Sequence, residues 1–384
     1  MKPLPPVETG TRIFYLDALR AFCMLYGILN HGINIWRSAP GNGPVLISMA
    51  SDLFRMATFF LLAGFFTAMA ATRMDSRTYA SSRFDVLAVP LATSLLFLAP
   101  LTNWLVHRFH NGPMALTTYL FDGGWRQPTI GEEVWHLHFW FLFCLIAFAA
   151  LTPAFLRIAP ADFTSRGLDR LLALFGRFSL WAVVLLLGVL SVALAASHNI
   201  LVEPFTVETP FAWIVRAIFA YVPVYIVGVA AFVHRGLFDA LHRVSIPGLL
   251  GFGALYYWSF GAQDLLPFAV AGAIHSFARV GILVMVVAAL LTLFRRHLGA
   301  PSPLLATLIA SAYTFYLVHF TMIYLIANLM QPFTDNRWLM YAAIVLVGAP
   351  LCVLVHTRLV APSPILRYML NGRRTVPRPA PASP

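Results

Sequence analysis

Apolar residues run along this chain in long stretches, broken at near-regular intervals by short segments rich in Arg, Gly, Pro and Asp. Ten stretches can be drawn, at about 13–36, 46–70, 84–106, 133–156, 178–196, 211–233, 247–262, 265–294, 304–330 and 338–360. A helix rises about 1.5 Å per residue, so roughly 20 apolar residues cross the hydrocarbon core of a bilayer. Most of the ten reach that length. The stretch 247–262 is short and aromatic (Tyr256, Tyr257, Trp258), so its full crossing is the least secured by the pattern. The pattern predicts an all-α integral membrane protein of about ten transmembrane helices. One membrane domain is expected over 1–361, followed by a tail over 362–384 whose Pro-rich end, from Pro377, is expected to be disordered.

Composition strengthens that reading. The chain is 60% hydrophobic and 11% charged, where a soluble domain carries about 25% charged residues. A net charge of +11 would suit a nucleic-acid binder, but every basic residue except Lys2 is an Arg, and most lie between the apolar stretches. That is a topology signal rather than a basic surface for a phosphate backbone. Counted on alternate sides, the loops holding Arg73, Arg77, Arg83, Arg157, Arg166, Arg170, Arg177, Arg235, Arg243, Arg295 and Arg296 share one side with both ends of the chain. The other side receives only Arg37, Arg108, Arg126 and Arg337. Both termini are therefore expected in the cytoplasm of a multi-pass bacterial inner-membrane protein. The first stretch is too long and too charged for a cleavable signal and is read as a retained span. Cys23, Cys144 and Cys352 each fall inside an apolar stretch, with neither disulfide nor zinc spacing.

Polar residues inside the stretches are where chemistry is expected. The run "FYLDALRAFCMLYGILNHGINIW" holds Asp17, Arg20 and His31, each costing a few kcal/mol in hydrocarbon unless it faces protein or water. At about 100° per residue, Arg20 and His31 project from one helix face within about 20°, separated by about 16 Å along the axis, and Asp17 lies about 40° from His31. Such a stripe lines a cavity or packs on polar partners. The bland alternative is an Asp17–Arg20 intrahelical pair with His31 as a hydrogen-bonded interface residue. Arg55 and Arg279 are further guanidiniums within stretches. Neither is read as neutralised by an acidic residue one turn away on its own helix, so each wants a carboxylate from another helix, with Asp17 and Asp52 available, or an anionic ligand held by two parallel hydrogen bonds.

Other candidates carry a bland reading of equal weight. His136 and His138 would point about 200° apart on one helix, so a shared metal is not expected. His136 is read as interfacial and His138 as lining the outer cavity, with Trp135 and Trp140 as interfacial anchors. Glu132 and Glu133 suit the N-terminus of that helix. Tyr316 and His319 are neighbours one turn apart.

An ordered set of motifs then resembles the membrane acyltransferase-3 family. Besides Arg20 and His31 in the first stretch, these are "DLFRMATFFLLAGFF" from Asp52, "SRFDVLAVPL" from Ser82, "HFWFL" from His138, "SAYTFYLVHF" from Ser311 and "PILRYMLNG" from Pro364. The resemblance covers nearly the whole chain. The chain departs from the family pattern at Ala63, where a Ser precedes the Gly. His136 is an additional histidine, and Phe320 follows His319 where a glucan-modifying member has another His.

The resemblance implies an enzyme that takes an acyl group from cytosolic acyl-CoA as co-substrate, with no bound cofactor or metal, and passes it to hydroxyls of a periplasmic glucan. Succinyl is favoured, because intramembrane arginines suit a dianionic product; acetyl stays open. On this reading His31 is the general base, directly or through an acyl-His intermediate. Asp17 and Arg20 organise the inner half, and Arg55 or Arg279 neutralises an oxyanion or the succinyl carboxylate. His138, Trp140, Tyr316 and His319 face substrate. Expected partners are the bilayer, acyl-CoA, glucan and glucan-synthesis proteins, and no nucleic acid. A transporter of an anion or sugar, or a scaffold without chemistry, are the competing classes.

Overall fold

The computed structural model describes residues 13–39, 43–126, 135–158, 162–261, 265–300 and 302–373. Glu132, Glu133, Lys2, Arg12, Arg374, Arg378 and the Pro-rich end lie outside the described residues. Within them the chain is helical and contains no strand. The long helices are α1 (Phe14–Gly32), α2 (Val45–Arg73), α3 (Ser76–Asn111), α4 (Trp140–Ile158), α5 (Ser179–Ser197), α6 (Ala212–Val233), α7 (Ile246–Gly261), α8 (Phe268–His297), α9 (Pro303–Met330) and α10 (Arg337–Val360), followed by the short α11 (Pro364–Asn371). Each apolar stretch of the sequence is thus one helix.

Among the described residues, 8 helices are long and apolar enough to cross a membrane. The two others explain themselves. α1 has 19 residues but carries Asp17, Arg20, Asn30 and His31. α7 has 16 residues, which at about 1.5 Å per residue falls short of the ~30 Å hydrocarbon core.

Several helices widen locally into π turns, and the sequence says why. The turns Phe84–Ala88, Ser94–Leu98, His198–Val202, Ile344–Gly348 and His356–Val360 are each followed two residues later by a proline: Pro90, Pro100, Pro204, Pro350 and Pro362. A proline ring clashes with the carbonyl four residues back and offers it no N–H. That carbonyl belongs to the middle residue of every one of these turns. Adding one residue to the turn relieves the clash without ending the helix.

The chain divides into two compact units. The first comprises Met1–Cys23, Met49–Tyr79 and Ala147–Leu305. In it α2 and α6 approach backbone to backbone: a Cβ on Gly64 would strike the carbonyl oxygen of Tyr225, and one on Gly228 that of Leu61. Around this contact Phe60 stacks on Tyr221 at 4.7 Å, and the Tyr225 hydroxyl donates to Thr152 Oγ1 at 2.6 Å.

The second unit comprises Met24–Ser48, Ala80–Ile146 and Ala306–Pro384. Its central element is α9, with Phe315, Leu317, Ile323 and Ala327 fully buried. Polar side chains tie α9 to α3 at three levels: Thr321 to Thr102 at 2.7 Å, Asn328 to the Leu105 carbonyl at 2.9 Å and Gln331 to the Phe109 carbonyl at 3.1 Å. At the other end of α9, Thr314 donates to Asn371 Oδ1 and accepts from His356 Nδ1. Tyr368 bonds Asp85, and Gly372 turns with φ +64° where a Cβ would meet the Asp85 carbonyl oxygen. The first residues of the expected tail are therefore packed into this unit.

Candidate functional site

Within the second unit, α1, the entry to α4 and α9 bring three histidines together. The ring of His31 lies 5.4 Å from that of His319 and 6.2 Å from that of His138, and His138 and His319 are 4.8 Å apart. Phe320 floors the group, 5.2 Å from His31 and stacked on His138 at 5.4 Å. His138 and His319 are buried, whereas His31 is only half-buried.

Hydrogen bonds fix where the ring protons sit. His138 Nε2 lies 2.8 Å from the Tyr316 carbonyl oxygen, and His319 Nδ1 lies 2.7 Å from the same oxygen. A carbonyl only accepts, so both nitrogens carry a proton and donate. The Tyr316 hydroxyl returns a bond to the His138 carbonyl at 3.0 Å. Two ring N–H groups thus converge on one carbonyl oxygen, and protonated nitrogens cannot ligate a metal. Among the described residues no His, Cys, Asp or Glu set could hold a metal ion.

The entry to α4 differs from its expected form. Trp135 and His136 form a turn, Leu137–Phe139 is a single 3₁₀ turn, and the α-helix starts only at Trp140. Leu137 has φ +44°, the one positive value at a non-glycine among the described residues. His136, read as interfacial, is instead 1% exposed, because this turn folds the ring inward and its Nδ1 donates to the Leu137 carbonyl at 2.8 Å. Trp140, the first residue of the α-helix, is half-buried, its ring edge-on to Phe141 at 6.4 Å.

The charged candidates belong to the first unit. Arg20 Nη2 pairs with Asp17 Oδ1 at 3.1 Å, and the guanidinium lies over the Phe66 ring at 5.5 Å. Asp17 is buried and Arg20 is half-buried. Arg55 Nε donates to Ser51 Oγ at 2.8 Å. Arg55 and Arg279 both act electrostatically on Asp52. Asp52 stands three residues before Arg55 on α2 itself, so Arg55 has a carboxylate on its own helix, which the reading of it as an unneutralised guanidinium overlooked. Arg279 is exposed on α8.

One arrangement was not anticipated. His110 of α3 is held on both ring nitrogens, by Ser38 Oγ at 2.6 Å and by the Tyr324 hydroxyl at 3.0 Å. The signal was present as helically spaced polar positions, Asn103, His107 and His110 on α3 and Thr321, Tyr324, Asn328 and Gln331 on α9.

Comparison with known proteins follows the same lines. A family model described as "Acyltransferase domain" matches residues 13–357. Similar proteins named "Glucans biosynthesis protein C" come from Escherichia coli O139:H28 (strain E24377A / ETEC), 23% identical over 98% of both chains, and from Escherichia coli (strain K12), 22% identical over 98% of both. Another, from Shigella dysenteriae serotype 1 (strain Sd197), is 23% identical over 98% of both chains. No solved structure matches.

Proposed function

The chain belongs to the acyltransferase domain family, and from that premise we propose that it moves an acyl group, succinyl in the first instance, from cytosolic acyl-CoA to hydroxyls of a periplasmic glucan. The observation that carries the reading is the half-buried His31 ring set against two buried histidines whose protons are committed to one carbonyl. Similar proteins named for glucan biosynthesis support the choice of acceptor. The bias of arginines between alternate loops supports an inner-membrane orientation with both termini in the cytoplasm.

In the reaction, the glucan hydroxyl oxygen attacks the thioester carbonyl while its proton passes to His31. The tetrahedral intermediate collapses, the C–S bond breaks, and the departing CoA thiolate takes the proton from the imidazolium. Imidazole suits both steps, because its ordinary pKa lies near working pH. General base catalysis of this kind contributes roughly 10²–10⁴-fold. Arg20, whose guanidinium lies over Phe66 about three helical turns from His31, holds a donor phosphate. Arg55 or Arg279 offers charge to the developing oxyanion or to the carboxylate of a succinyl group.

The test uses labelled succinyl-CoA, unmodified glucan and membranes containing the full chain. Wild type is expected to place label covalently on glucan, and correctly inserted His31→Ala or His31→Gln to lose it by at least about 10²-fold. Near-normal transfer by either variant would reject His31 as the base. Glucan that stays unlabelled while vesicles take up an anion or sugar would assign a transporter instead.

A further inference from the structure

The turn that presents His138 to the site also carries a histidine that the mechanism leaves unused. His136 is 1% exposed, and its Nδ1–H donates to the carbonyl of the next residue, Leu137, at 2.8 Å. With the proton on Nδ1, the neutral ring presents a lone pair at Nε2. That atom is buried and has no hydrogen-bond partner among the described residues. A buried acceptor without a donor loses its hydration for nothing, and native structures keep few of them.

A second cost sits on the neighbouring residue. Leu137 holds φ +44°, a left-handed conformation that a bulky side chain avoids. Strain of this kind concentrates where the chain must offer a group to a ligand. Two residues of chain span at most about 7 Å, so the backbone of His136 lies close to that of His138, whose ring packs against His31. Against the His136 ring stands Trp135, 39% exposed, the two rings edge-to-face with centroids 5.2 Å apart.

The chemistry selects the ligand. A lone pair repels a carboxylate or phosphate, so it does not suit the acyl group or the coenzyme. It accepts from an O–H, and a partly open indole offers an apolar face to the C–H side of a sugar ring. We propose that His136 is an acceptor-recognition residue, its Nε2 receiving a hydrogen bond from a saccharide hydroxyl other than the one acylated. This deepens the glucan acyltransferase reading and rests on it.

His136→Phe keeps a ring and removes the lone pair; His136→Gln restores an acceptor. In the Phe variant KM for glucan is expected to rise about five- to tenfold, with kcat at saturating glucan and KM for acyl-CoA following wild type. The Gln variant is expected to recover part of the loss. An unchanged glucan KM in His136→Phe, with or without a raised melting temperature, would overturn the proposal and mark the atom as an unsatisfied or water-filled position. If His136→Phe does not insert, His136→Leu is read in the same way. If wild type acylates no glucan, the functional reading fails by itself, and equilibrium binding of unmodified glucan decides the His136 proposal. Weaker binding in the Phe variant supports it; equal binding, or none in wild type, overturns it.

Discussion

His138 and Tyr316 hold each other by exchanging bonds between ring and backbone: the imidazole of His138 donates to the Tyr316 carbonyl at 2.8 Å, and the Tyr316 hydroxyl donates to the His138 carbonyl at 3.0 Å. The clasp joins the turn before α4 to the middle of α9. It also gives the strained Leu137 a fixed neighbour, because the carbonyl that Tyr316 binds belongs to the next residue. His31 then packs against rings whose orientation is set by backbone rather than by side-chain packing alone.

Removing half of the clasp tests its role. Tyr316→Phe deletes the hydroxyl but keeps the ring and the carbonyl, leaving the buried His138 carbonyl short of a donor at a cost of about 1–3 kcal/mol. We expect a lower melting temperature and about tenfold lower kcat, with KM for acyl-CoA unchanged. His138→Gln, whose amide can still donate to Tyr316, should retain more activity than His138→Ala. Steady-state transfer of labelled acyl groups, in both substrates, separates these outcomes.

Arg20 invites a test of shape against charge. Its guanidinium pairs with Asp17 and lies over Phe66. Lysine keeps the charge but cannot stack flat or bind two oxygens in parallel. Arg20→Lys is therefore expected to raise KM for acyl-CoA about five- to tenfold while leaving KM for glucan in place. Equal KM for acyl-CoA in variant and wild type would remove Arg20 from donor binding.

The helices were legible because lipid demands long apolar runs, and no other signal in the chain competes with them. The π turns were legible in a weaker sense: each proline marks the carbonyl it displaces, but choosing a widened turn over a kink needs the packing around it. Pro153 and Pro223 sit inside α4 and α6 with no such turn. The entry to α4 was not legible at all. A left-handed Leu137 has no sequence signature, since Gly or Asn is the residue that usually announces this conformation. His31, His138 and His319 could each be flagged as costly in a membrane, but their meeting depends on contacts between residues far apart in the chain, which helical period does not encode. Arg55 shows the opposite failure: Asp52 was in plain view one turn away.

Packing of α2 on α6 makes a sharper prediction than any charge. Gly64 and Gly228 face carbonyl oxygens of Tyr225 and Leu61, which are backbone atoms and cannot swing aside. Gly64→Ala or Gly228→Ala must push the helices apart, at a cost of about 1–3 kcal/mol each for overpacking, and the two together should unfold the first unit. Gly251→Ala, where nothing lies within 4 Å of the added carbon, serves as the control and should melt as wild type does.

Acid sensitivity should come from His242, which lies between α6 and α7. Its Nδ1–H donates to the Phe238 carbonyl at 2.8 Å, so Nε2 accepts from the Tyr15 hydroxyl at 2.9 Å. Burial holds its pKa below the ordinary 6.5, Arg295 and Arg235 push the same way, and the Phe238 bond and Asp239 oppose them. The native state thus takes up this proton less readily than the unfolded chain does. The contribution to stability is fully present above pH 6.5 and is lost as pH falls from there through the lower native value, where protonation would also turn Nε2 from acceptor to donor against Tyr15. Melting of the purified protein is expected to be flat from about pH 8 to about pH 7 and to fall on acidification toward about pH 5. A Tyr15→Phe, His242→Phe double variant removes the titrating ring and the hydroxyl that would be left without its acceptor. Its melting curve should lose that part of the acid dependence, and an unchanged pH profile would show that another group carries it.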